Sequence, residues 1–106
     1  MLSRLFQRPA PRKQPLFAPS TLKLSEKVHW LARRRLIDPL AYVQHHVRGD
    51  WGEIDEATRQ ANDVAIQQDN LIISQFRITS DLVLIVQTSE DHQTTVVQLP
   101  EERDLI

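Results

Sequence analysis

Leu82-Val83-Leu84-Ile85-Val86 is the stretch that decides the fold. A strand that is apolar on both faces belongs in the middle of a sheet, covered by helices on at least one side. The flanking stretches 71–79 and 93–99 are also rich in Ile, Val, Leu and Thr. Ser80-Asp81 and Ser89-Glu90-Asp91-His92 separate them from the central run, so three short strands with tight connections predict an antiparallel meander.

Upstream the period is helical. Ser25 is a good N-cap, and Val28, Leu31, Ala32 and Leu36 recur on one face, which predicts a first helix over residues 26–36 with Arg33, Arg34 and Arg35 in its last turn. Asp38-Pro39 starts a second helix, with Leu40, Val43 and Val47 as its buried side and Gly49 as its stop. Asp55 caps a third, with Ala57, Ala61, Val64, Ala65 and Gln68 as one stripe and closure at Asp69-Asn70. The predicted fold is α+β: three N-terminal helices packed on a three-stranded antiparallel β-meander, preceded by an extended basic N-terminal arm.

The arm, residues 1–22, holds Pro9, Pro11, Pro15 and Pro19, too many for a helix. Leu16-Phe17 within it suits a short anchor that docks on a groove. The single α+β domain then spans residues 23–106. Charge is unevenly spread: residues 1–35 carry nine Lys or Arg against Glu26, and the remainder four against thirteen acidic residues, giving +8 and −9. A basic arm on an acidic body can reach a polyanion or fold back on its own domain.

The chain has no cysteine, so zinc fingers, thiol catalysis and disulfides are excluded. No apolar run approaches a membrane span and the start lacks a secretory core, which predicts a cytoplasmic protein with no membrane partner. A transit peptide is disfavoured by the prolines. No Gly-rich phosphate loop, nucleophile elbow or paired catalytic carboxylates is visible, and no cofactor is implied.

Both glycines lie in His45-His46-Val47-Arg48-Gly49-Asp50-Trp51-Gly52. Glycines bracketing Asp50-Trp51 suggest backbone conformations that a Cβ disfavours, with the indole fixed against the protein's core or a partner. His46 with Gly49-Asp50-Trp51-Gly52, Asn62 and Ala65, Ser74 with Phe76, Thr88, Asp91 and Thr95, and Leu99-Pro100-Glu101-Glu102 form a pattern over about residues 25–102. This pattern resembles a family of short uncharacterised proteins encoded on bacterial plasmids and integrative elements. Those relatives usually have Tyr at Phe76, often Glu at Ser89 and usually Arg at His92. The resemblance implies a mobile-element setting and no particular activity.

Two function classes follow. The first is a non-enzymatic accessory protein that binds a host protein or nucleoprotein complex, as defence inhibitors and regulators do, through Trp30, Arg33, Arg34, Arg35, Arg48, Asp50 and Trp51. The alternative is a small metal-independent ribonuclease or nucleic-acid-binding domain, which would combine His46 or His92 with Arg77 and Thr88 or Thr95 and in which His46, His92 and Arg77 would converge on one concave face. Direct nucleic-acid binding through the arm and the arginine run is a further form of it. Structural roles compete at each position: Asp91 can bond its own turn, Thr88 and Thr95 can pair across the hairpin, and His46 can cap its helix. His45 and His46 diverge by about 100° on a helix, so a shared metal is disfavoured.

Overall fold

The computed structural model describes residues 14–102. Strand β1 (Thr21–Leu24) is followed by α1 (Glu26–Arg33), α2 (Pro39–Val47), α3 (Glu56–Gln67), β2 (Ile72–Thr79), β3 (Leu82–Thr88) and β4 (Thr94–Gln98). A 3₁₀ turn, Pro100–Glu102, closes the described chain.

The sheet has four strands in the order β1-β4-β3-β2. β2, β3 and β4 form the expected antiparallel hairpins. β1 adds a parallel pair, with Thr21 opposite Thr94 and Leu24 opposite Val97. The predicted three-stranded antiparallel meander is therefore corrected to a four-stranded mixed sheet. The helical segments do not all precede it, because β1 comes first and the 3₁₀ turn last. The extra strand comes from the end of the segment read as an arm, so the expected boundary at residue 22 falls inside β1.

Local rules explain the elements. Ser25 Oγ accepts from Val28 N at 3.1 Å to cap α1, and Asp55 accepts from Thr58 N at 2.7 Å to cap α3. Asp38 makes no side-chain cap, and α2 starts on Pro39 at its first turn. α1 ends at Arg33, three residues short of expectation, where Arg35 turns into the left-handed region with φ +59°.

Alternation along the strands puts Ile72, Ser74 and Phe76, Leu84, Val86 and Thr88, Thr95 and Val97, and Leu22 and Leu24 on the helix-covered face. Val28, Ile37, Phe76, Leu84, Val86, Val97 and Leu99 make the main core. Trp51, Ala65 and Ile72 form a second cluster, flanked by Phe17, Ile54 and Ile66. Burying a side chain such as Leu84 fully is worth about 1.5–3 kcal/mol.

Two helices are rotated relative to their expected buried stripes. α2 buries His46 completely while Leu40 is exposed, and α3 buries Asn62 and Ala65 while Ala57, Ala61 and Val64 face outward. Ala65 of the expected α3 stripe is buried and Val43 of the α2 stripe packs on the main core, so hydropathy finds part of each inward face and misses the buried polar residue beside it.

Candidate functional site

Ser74 sits between the two apolar clusters, and Thr88 and Thr95 continue its row across β3 and β4. α2 lowers His46 onto that row. The imidazole Nδ1 lies 2.5 Å from Ser74 Oγ, Nε2 lies 2.8 Å from Thr88 Oγ1, and Thr88 Oγ1 lies 2.7 Å from Thr95 Oγ1. All four side chains are fully buried. Each hydroxyl can donate and accept, so either neutral tautomer is satisfied on both ring nitrogens. Burial pushes the His46 pKa down to about 3. The imidazole is thus a neutral tie between α2 and three strands, and the Phe17 ring closes over it edge-on at 5.4 Å between centroids.

The second half of the motif works on the outer edge of β2. Gly49 ends α2 at φ +87°. Trp51 is buried, and its carbonyl accepts Gln75 N at 3.1 Å, while Glu53 N donates to Gln75 O at 2.7 Å. Gly52 lies between these bonds at φ +69°, where an added Cβ would fall 2.2 Å from the Gln75 carbonyl oxygen. One turn along, Asn62 Nδ2 donates to Ile73 O at 2.8 Å and Asn62 Oδ1 accepts Ile73 N at 3.2 Å. The outward backbone groups of Ile73 and Gln75 are therefore all paired. The indole N–H of Trp51 finds no acceptor among the described residues.

The remaining motif residues also tie structure together. Asp91 accepts from Ser89 Oγ at 2.6 Å and Gln93 N at 3.1 Å, bonds that hold its carboxyl below the ordinary range. Glu102 accepts from Ser25 Oγ at 2.6 Å, Leu99 N at 3.0 Å and Lys27 N at 3.3 Å. Burial pushes its carboxyl up, but these bonds outweigh that and leave it below the ordinary range. Asp50 pairs with His45 Nδ1 at 3.0 Å, and Arg48 supplies the C-cap backbone of α2.

Of the expected nuclease set, His46, Thr88 and Thr95 come together in the buried row, while His92 and Arg77 do not join them. His92 bonds the Asn70 carbonyl through Nε2 at 3.0 Å, in the turn between β3 and β4. Arg77 lies at the other end of the sheet, paired with Glu53 at 3.1 Å and with Ser80 O at 3.3 Å. His46, Thr88 and Thr95 are sealed beneath the helices. No group of three or more metal-ligand residues occurs among the described residues.

The binding set divides as well. Trp51 belongs to the core, whereas Trp30 is 49% exposed on the outer face of α1. The Arg34 guanidinium stacks on the Trp30 ring at 3.8 Å from its centroid, as the i, i+4 spacing allows. Exposed Arg33 and Arg35 flank the stack, and no described carboxylate pairs with the three arginines. Beyond the end of α1, an open apolar depression of about 550 Å³ is lined by Leu24, Ala32, Arg35, Leu36 and Leu40 among others. Leu36 and Leu40 are 60% and 57% exposed, and sequence reading missed both because each sits in a helical apolar pattern. Arg4, Arg8, Arg12 and Lys13 of the expected arm lie outside the described residues.

The chain matches no family model, no curated protein and no solved structure. Among the described residues no helix is long and apolar enough to cross a membrane.

Proposed function

We propose that this chain is a non-enzymatic accessory protein of a bacterial mobile element that acts in the cytoplasm by binding a host protein or nucleoprotein complex. The observation that carries the reading is the Trp30–Arg34 stack, exposed beside two further arginines and two exposed leucines. Trp and Arg dominate the energetics of protein interfaces, and a stacked pair is pre-ordered, so less entropy is lost on docking. The mobile-element setting rests on the resemblance of the His46 to Glu102 pattern. The histidine of that pattern supports binding over catalysis, since both its ring nitrogens are occupied and burial keeps it neutral.

The test is affinity capture from bacterial lysate with and without nuclease treatment, comparing wild type with a Trp30→Ala/Arg34→Ala variant. The expected result is a stoichiometric protein held by wild type and lost from the variant. Retention of nucleic acid alone, abolished by nuclease, would overturn the reading.

A further inference from the structure

The parallel pairing of β1 fixes which of its backbone groups are used. Thr21 N donates to Gln93 O at 3.0 Å and Ser25 N to Val97 O at 2.9 Å, so the odd-numbered residues face β4. The N–H and C=O groups of Leu22 and Leu24 consequently point away from the sheet, and no described residue pairs with them. Among the described residues this edge is open, whereas the β2 edge is closed by Asn62 and the Trp51–Glu53 backbone.

We infer that β1 accepts an extended segment of a partner protein as a fifth strand, and that this segment alternates apolar with acidic side chains. The inference rests on the reading of the chain as a binding module and specifies how the partner docks. The alternation follows from the two sides of β1. On the helix side, Leu22 is 40% exposed, and Leu24 forms a wall of the apolar depression with Leu36 and Leu40. An incoming strand presents apolar residues there. On the other side Lys23 is exposed and has no described carboxylate, so the alternate residues meet a cation. At the same end the Asp38 carboxylate also lines the depression, so Lys23 carries the acidic preference and Asp38 offsets Arg35. The left-handed backbone of Arg35, φ +59°, is at a position where glycine is the usual residue, so keeping a guanidinium there carries a conformational cost.

A second copy of the chain fits this edge poorly. In the centred antiparallel register, β1 against β1 would set Lys23 opposite Lys23, and such edge lysines discourage self-pairing. An acidic strand makes the opposite pairing.

The test uses the isotope-labelled full chain and an eight-residue peptide alternating valine with glutamate. The control peptide alternates valine with lysine. Amide shifts centred on Leu22, Lys23 and Leu24 are expected, with saturation by the acidic peptide and at least tenfold weaker binding of the control. Leu22→Pro deletes an N–H that β4 does not use, so it should keep the amide spectrum of the folded chain and weaken peptide binding at least tenfold. Lys23→Glu should reverse the preference between the two peptides. Binding that survives Leu22→Pro, or no binding at millimolar peptide, overturns strand addition. Capture of a protein through Trp30 and Arg34 can still succeed in either case, so the failure of this inference is separable from failure of the binding reading.

Discussion

The two edges of the sheet are treated in opposite ways. β2 is closed by a glycine loop and an asparagine that together pair the outward groups of Ile73 and Gln75, while those of Leu22 and Leu24 on β1 meet no partner among the described residues. The most unusual residues of the sequence are spent on closure. Those that remain available at the open end, Leu22, Lys23, Trp30 and Leu36, belong to no motif. An uncommon motif thus marks a structural seal, and accessibility marks the surface that can interact.

Substitutions on the closed edge should have the largest effects. Gly52→Ala drives a methyl group into a backbone carbonyl and should cost more than about 3 kcal/mol, read as loss of a cooperative thermal transition. Gln75→Pro removes the N–H that Trp51 accepts and should be similarly severe, whereas Leu22→Pro should stay within about 1 kcal/mol of wild type in denaturant unfolding. Equal losses from these two prolines would break the comparison of the edges.

The seam under the closed edge gives a pH signature. His46 titrates near 3 when folded and near 6.5 when unfolded, so the unfolded chain binds the extra proton between those values. This contribution is fully present above pH 6.5 and is lost as pH falls towards 3, at up to about 1.4 kcal/mol per pH unit. Urea unfolding across that range should show the slope, and a folded His46→Gln variant should lack it.

Asn62→Ala should cost about 1–3 kcal/mol, because it strands the N–H and C=O of Ile73. The smallest effects belong to the open end. Arg35→Gly should raise stability by about 0.5–1 kcal/mol by relieving a left-handed arginine, read by denaturant unfolding. Unchanged stability would show that the turn is held by contacts other than its own backbone preference.

Much of this architecture was legible locally. The central strand Leu82–Thr88, the starts of all three helices at Ser25, Pro39 and Asp55, and the pairing of Thr88 with Thr95 follow from short-range pattern. The misphased helices share one cause: His46 and Asn62 are polar yet buried, each with its hydrogen bonds met, and hydropathy cannot register that compensation. β1 was hidden for another reason. Four residues after a proline-rich stretch carry little local signal, and their parallel partner lies more than seventy positions downstream. Of the candidate site, Trp30 and Arg34 were expected as binding residues, but their stacking shows only in the fold, and the open edge exists only once β1 has a neighbour.

That long-range pairing has a consequence during synthesis. β1 is the first described element to leave the ribosome and its partner β4 is the last described strand to follow, with Ser25 waiting further for Glu102. α1, α2 and α3 emerge with no sheet to cover, so cooperative folding of the described domain must await β4. A nascent chain stalled before Thr94 would expose β1 along both edges, making this interval the one in which a chaperone or a protease has its best access.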